Sequence, residues 1–149
     1  MTGGHPPLSR TGLPDWLLPM ARVADEVSGE DLTRILPPPE GGRSSAVLVL
    51  FGPPATNQPG TRLGDVLLIQ RADTLSSHPG QPAFPGGAAD PGDDGPVGTA
   101  LREAVEETGL DPAGVQPFAT LPALYLPPSG FVVTPVLAWW SRPSPVGVV

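Results

Sequence analysis

The stretch REAVEETGL, Arg102 to Leu110, carries three glutamates within five residues. If TALREAVEETG (99–109) is a helix with about 100° between residues, these glutamates lie together on one side. Gly109 suits the left-handed position that ends a helix. An apolar stripe occupies the other side and consists of Leu101, Ala104, Val105 and Thr108. The stretch therefore predicts a helix with one buried face and one acidic face.

The acidic face has two interpretations. A solvated surface is the commoner reason for three glutamates on one helix. Such a surface usually gains pairing energy from a basic residue four positions away, but only Arg102, four before Glu106, provides one here. The glutamates also lie late in the helix, where the helix dipole disfavours negative charge. Carboxylates are the ligands that Mg²⁺ and Mn²⁺ prefer, so the pattern favours a divalent cation site.

Most of the chain's excess charge lies around this helix. The formal net charge is −7, and seven acidic residues against one arginine between Asp90 and Asp111 leave −6 in that window. This concentration supports a cation site and argues against nucleic-acid binding through a basic patch. There is no cysteine, which excludes disulfides, zinc-thiolate sites and cysteine nucleophiles and fits a reducing cytoplasm. No signal peptide and no apolar run of roughly 20 residues is present, so we expect a cytoplasmic protein without membrane partners.

The remaining sequence predicts one mixed α/β domain preceded by an arm. At 149 residues the chain has the length of one domain, and its 23 prolines and 19 glycines predict many turns. Residues 1–43 form a Pro-rich arm in which ARVADEVSGEDLTRIL (21–36) predicts one or two short helices. Pro135 predicts that the last strand is an edge strand or is bulged. The predicted strands span residues 44–52, 65–71, 118–126 and 131–140.

The loop before the helix completes a pattern that resembles a known family. Gly87, five residues, Asp93, eight residues and then REAVEETGL resemble the signature box of Nudix hydrolases, at about 87–110. The usual box has glutamate in place of Asp93 and seven residues before the arginine. The coenzyme A diphosphatase branch of that family resembles this chain in both departures. LLIQRADTLSSHPGQPAFPGG (67–87) and SGFVVTPV (129–136) are similar to further elements of the same branch.

This resemblance implies a fold and a reaction. The fold is a Nudix-type α/β/α sandwich with a mixed β-sheet, formed by residues 44–149. We expect this domain to be C-terminally incomplete, because Nudix domains normally continue through another strand or two and a covering helix. The implied reaction is metal-dependent hydrolysis of the diphosphate bond of coenzyme A, or of its thioesters, to 3′,5′-ADP and 4′-phosphopantetheine. The substrate is therefore a CoA-like dinucleotide, and a homodimer is compatible with these features.

The same resemblance assigns the metal and catalytic residues. Glu103 and Glu107, one turn apart, are the implied principal ligands of Mg²⁺ or Mn²⁺, and Glu106 supports them. A backbone carbonyl near Gly86 is a further ligand. Glu103 is the first choice for the general base, with Glu106 the alternative. Arg102 is expected to orient the acidic cluster, the alternative being a surface ion pair.

The implied substrate-binding residues lie upstream of the helix. Arg71 could hold a phosphate, or could form a salt bridge at a strand end. His78 and Gln81 could contact the nucleotide or pantetheine, or could brace a proline-rich loop. Gly87 is expected to let the backbone approach a ligand closely. Two other functions remain open: a Nudix diphosphatase acting on ADP-ribose, NADH or another nucleoside diphosphate derivative, and a truncated domain that binds metal or nucleotide without turnover.

Overall fold

Two long strands, β1 and β8, form the centre of the main sheet. The computed structural model describes residues 7–33, 42–54, 64–70, 80–127 and 129–147. The strands are β1 (Arg43–Gly52), β2 (Asp65–Val66), β3 (Ile69–Gln70), β4 (Pro82–Ala83), β5 (Gly86–Ala88), β6 (Val115–Thr120), β7 (Leu124–Leu126) and β8 (Phe131–Trp140). β1 and β8 are parallel, and the sheet order is β2-β1-β8-β6. β5 pairs antiparallel with β1, β7 pairs antiparallel with β8, and β3 pairs with β4 in a separate two-stranded sheet.

Helix α3 (Gly95–Thr108) covers one face of this sheet. The predicted helix is confirmed, and it begins four residues earlier than the TALREAVEETG stretch. The predicted apolar stripe faces the sheet, and Val97 and Ala100 extend it. Its partners on β1 are the alternate side chains of Ala46, Leu48 and Leu50, each fully buried. Gly109 has φ 73° and its N–H donates to the Val105 carbonyl at 2.9 Å, so the predicted helix end is also confirmed.

The described part of the N-terminal arm covers the opposite face. Two short helices are described here, α1 (Leu18–Glu26) and α2 (Gly29–Leu32), so α1 begins three residues before the predicted segment of residues 21–36. Trp16 packs edge-on against Phe51 and Trp139, with ring centroids 6.1 and 6.0 Å away. The buried residues of this second core cluster are Leu13, Leu17, Ala21, Phe118, Ala119 and Leu137. The layers are therefore helix, sheet, helix, as the predicted α/β/α sandwich requires.

Two strand predictions need correction. β8 is not an edge strand, because β1 lies on one side of it and β6 and β7 lie on the other. Pro135 lies opposite Leu121, in the segment between β6 and β7, and its carbonyl accepts the Leu121 N–H at 3.0 Å. A residue's N and C=O face the same side of a strand, so the missing donor of Pro135 faces the gap between β6 and β7. The irregularity in register lies in β6, between Pro117 and Ala119.

The strand predicted for residues 65–71 is two short strands instead of one buried strand. β2 pairs with the end of β1, and β3 turns away to pair with β4. Leu68, between them, is 47% exposed. None of the helices within the described ranges has the length and apolar character that a membrane crossing requires.

Candidate metal centre

The carboxylates of Glu103 and Glu107 both lie against strand β5. Glu107 Oε1 accepts the backbone N–H of Gly86 at 3.0 Å. A Cβ atom on Gly87 would lie 2.6 Å from Glu103 Cδ, and 2.7 and 2.9 Å from its two carboxylate oxygens. The Glu103 carboxylate therefore occupies the space that a side chain at position 87 would need. The two residues implied as principal ligands thus meet at one glycine pair.

Strand β5 has room only for glycine at positions 86 and 87, because neighbouring atoms of β1 and α3 lie very close to its backbone. Gly86 pairs with Val47 and Gly87 pairs with Ala46. A Cβ atom on Gly86 would collide with the Ala46 carbonyl oxygen and with Val47. Glycine at both positions lets this short strand fit between β1 on one side and the carboxylates of α3 on the other.

Arg102 uses all five of its N–H donors within the protein. Its Nε donates to Asp93 Oδ1 at 2.8 Å. Its Nη2 donates to Asp93 Oδ2 at 3.1 Å and to the Ala88 carbonyl at 3.0 Å. Its Nη1 donates to Glu103 Oε1 at 3.1 Å and to the Glu106 carboxylate at 3.2 Å. Since a guanidinium has five donors, this geometry favours the orienting role predicted for Arg102 over contact with a substrate phosphate.

Asp93 holds the Nε–Nη2 edge of the Arg102 guanidinium. Its side chain is 7% exposed, and its Oδ2 also accepts the Thr99 hydroxyl and the Asp90 backbone N–H, both at 2.8 Å. The hydrogen bond from Arg102, followed by that from the Asp90 N–H, holds the pKa of the Asp93 carboxyl well below its usual range. The same bond to Asp93 raises the pKa of Arg102. Asp93 is therefore ionised and fixed.

The donor set fits a hard divalent cation in its chemistry. Glu103, 19% exposed, and Glu107 present carboxylate oxygens beside the backbone of β5. Glu106 is 57% exposed and turned toward Arg102. Within the described part of the chain, no three acidic or histidine side chains are gathered closely enough to hold one metal ion. Both Glu106 carboxylate oxygens accept hydrogen bonds from Arg102 Nη1. The ligand role of Glu106 stays a prediction, as does that of the Gly86 carbonyl.

The implied substrate residues are described only in part. Gln81 is exposed and lies just before β4, five residues upstream of Gly86. Gly87 lies in β5 against the Glu103 carboxylate. Arg71 and His78 lie outside the described residues. Their roles in substrate binding stay predictions.

Two contacts of this centre are not predictable from the box motif. One is the Thr99 hydroxyl, and the other is the Ala88 carbonyl, which depends on the path of the loop. A sequence signal exists for the first, since Thr99 precedes Arg102 by three residues and so shares a helix face with it.

Comparisons with known proteins agree on one family. The NUDIX domain family matches residues 46–138. A Citrobacter koseri protein named uncharacterized Nudix hydrolase NudL is 38% identical over 125 residues, which cover 84% of this chain and 57% of the relative. A Klebsiella aerogenes protein of the same name is 42% identical over 100 residues, covering 67% and 77% of the two chains. The chain spans 37%, 57% and 53% of three such relatives, from Pectobacterium atrosepticum, Citrobacter koseri and Photorhabdus laumondii, or about half their length.

Solved structures share the fold. A Nudix hydrolase from M. smegmatis, RenU, has a TM-score of 0.56 and 29% identity, covering 72% of this chain and 65% of that one. An Ap4A hydrolase from C. elegans has a TM-score of 0.54 and 23% identity, covering 72% of each chain. The second likeness is one of fold alone.

Proposed function

This chain belongs to the NUDIX domain family, and on that premise we propose that it hydrolyses the diphosphate bond of a nucleoside diphosphate derivative, with coenzyme A or its thioesters as the substrate. The observation that carries the proposal is the meeting of Glu103 and Glu107 at the Gly86–Gly87 pair of β5. A diphosphate is anionic and repels hydroxide, so unassisted attack on phosphorus is slow. A site for this reaction needs carboxylates that are held in place to bind a cation, and a general base that accepts a proton from the attacking water.

The chain's own residues divide these tasks. Glu103 and Glu107 would hold Mg²⁺ or Mn²⁺, which neutralises the diphosphate oxygens and acidifies a bound water. Arg102 fixes the Glu103 carboxylate at 3.1 Å and holds Glu106 beside it. Glu103 is the proposed general base, with Glu106 the alternative. Glycine at position 87 leaves room for the Glu103 carboxylate beside β5.

The choice of coenzyme A within the class rests on sequence. Asp93 replaces the usual glutamate of the box, eight residues instead of seven separate it from the arginine, and the HPGQPAFPGG segment (78–87) precedes it. These features resemble the coenzyme A diphosphatase branch. The products would be 3′,5′-ADP and 4′-phosphopantetheine. ADP-ribose and NADH are the competing substrates.

A substrate panel with two matched variants tests this function. The purified chain is incubated with coenzyme A, ADP-ribose, NADH and a nucleoside triphosphate, each with Mg²⁺ or Mn²⁺, and the products are separated by chromatography. We expect turnover of coenzyme A, lowered by about 100-fold in Glu107→Gln. Glu26→Gln changes the net charge equally at an exposed position of α1, and we expect full activity from it.

Each other outcome rejects one part of the proposal. Turnover of ADP-ribose or NADH alone rejects the coenzyme A assignment and keeps the family reaction. Coenzyme A turnover that survives Glu107→Gln rejects the metal assignment. Mn²⁺ binding without turnover of any substrate indicates a non-catalytic binding domain.

A further inference from the structure

The Thr99 side chain lies near the point where the loop of residues 89–94 joins helix α3. It is 1% exposed, in the second turn of the helix. Its hydroxyl lies 2.8 Å from Asp93 Oδ2 and 3.2 Å from the Gly95 carbonyl oxygen. The contact with the carboxylate is the shorter of the two and is charge-assisted. A buried hydroxyl of the helix therefore holds a buried acid of the loop.

Asp93 connects this hydroxyl to Arg102. Thr99 and Arg102 are three residues apart on α3, so they share one face, and the Asp93 carboxylate bridges them. Oδ2 accepts three donors, of which Thr99 Oγ1 and Arg102 Nη2 come from the helix and the Asp90 N–H comes from the loop. Loss of the Thr99 donor leaves the carboxylate with the Asp90 N–H and the two Arg102 donors, and without its one contact to a buried hydroxyl of the helix.

The guanidinium is a rigid plane, so the orientation of one edge sets the orientation of the other. Its Nε–Nη2 edge is held by Asp93, and its Nη1 nitrogen contacts Glu103 and Glu106. We propose that Thr99 is a positioning residue for Glu103 and Glu106. Its hydroxyl fixes Asp93, and Asp93 fixes the plane of Arg102, which contacts both glutamates. The proposal deepens the proposed function, and its kinetic consequence rests on that function.

Helix α3 contains a second buried threonine that serves as a matched control. Thr108 is 4% exposed, its hydroxyl donates to the Ala104 carbonyl at 2.7 Å and accepts the Leu110 N–H at 3.2 Å. Its partners are backbone groups at the end of the helix. Thr108→Val therefore removes a buried hydroxyl from the same helix without touching the Asp93–Arg102 pair.

The first measurement needs neither substrate nor metal. Hydrogen exchange of the Arg102 Nε–H is followed by NMR in the metal-free protein. In Thr99→Val and Thr99→Ala we expect its protection to fall about 10-fold. We expect Thr99→Ser, which keeps the hydroxyl, to restore the protection. Thr108→Val should lower the melting temperature and leave the Arg102 signal unchanged.

The second measurement is the rate of hydrolysis of the best substrate. We expect kcat to fall about 10-fold in Thr99→Val with KM within about twofold, recovery in Thr99→Ser, and an unchanged kcat in Thr108→Val. Equal effects of Thr99→Val and Thr108→Val on both measurements would show that Thr99 is only structural and would overturn the proposal. A changed Arg102 signal in a chain that hydrolyses nothing would keep the positioning role and reject the proposed function.

Discussion

Gly87 shows how one missing side chain sets the position of a carboxylate. A methyl group there would lie within 2.6–2.9 Å of the Glu103 carboxylate and must displace it. A displacement of about 1 Å is enough to lower a reaction rate about 100-fold when it affects a reacting group. We therefore expect Gly87→Ala to lower kcat/KM by about 100-fold, measured on the substrate that the wild-type chain hydrolyses.

Gly92→Ala is the matched control for that substitution. A Cβ atom on Gly92 would meet nothing within 4 Å, and the residue lies in the exposed turn before α3. We expect the free energy of unfolding of Gly92→Ala to differ from wild type by less than about 0.5 kcal/mol, and its activity to stay at the wild-type value. Equal activity in Gly87→Ala and Gly92→Ala would contradict the placement of Glu103 in the site.

The buried Asp93 carboxylate makes folding depend on acidity. Its pKa is lowered in the folded chain, first by the hydrogen bond from Arg102. Folding therefore favours the ionised form, and this contribution is fully present above the ordinary aspartate pKa of about 3.9. It is lost as the pH falls from there toward the lower folded-state pKa. We expect the free energy of unfolding to fall steeply below about pH 4, as measured by urea titrations.

Asp93→Asn should remove that part of the pH dependence and lower stability near neutral pH, because its amide cannot ion-pair with Arg102. Asp15→Asn, at an exposed position of the short 3-10 helix Asp15–Leu17, is the control and should keep the wild-type dependence of unfolding free energy on pH. The same slope in Asp93→Asn and Asp15→Asn would show that another group causes the acid sensitivity.

At the scale of elements, local patterns were predictable and long-range pairings were not. The period of α3 and its glycine end depend on neighbouring residues, so the sequence predicts both. The break near Leu68 depends on β2 pairing with β1 and β3 pairing with β4, which no local pattern encodes. Likewise, Pro135 can occupy an interior strand of the sheet because it faces the gap between β6 and β7, and that pairing is not encoded locally. For the site, the helical spacing predicts that Glu103 and Glu107 share a face, but the bonds of Arg102 depend on the path of the loop.

The packing of the N-terminal segment on the sheet is tested by two adjacent leucines. Leu17 is 1% exposed and packs in the cluster that includes Phe118 and Leu137, whereas Leu18 is 38% exposed. We expect Leu17→Ala to lower the free energy of unfolding by about 2–5 kcal/mol. Leu18→Ala should lower it by less than about 1 kcal/mol. Both values come from urea unfolding, and equal small effects would indicate that the segment does not stabilise the sheet.

For the molecule as a whole, net charge and metal binding affect the same equilibrium. Since −6 of the formal net charge of −7 lies between Asp90 and Asp111, repulsion there opposes folding, and the proposed divalent cation would relieve it on binding the native state. Mn²⁺ at 100 times its dissociation constant should stabilise the chain by about 2.7 kcal/mol, a rise in Tm of roughly 5–10 °C. Calorimetry at constant ionic strength separates this from simple screening, which NaCl provides equally.

Glu107→Gln should lose the Mn²⁺-specific rise in Tm and Glu26→Gln should keep it, although each removes one negative charge. A rise that follows ionic strength alone, or that survives in Glu107→Gln, would mean that the acidic face binds no ion and is a solvated surface.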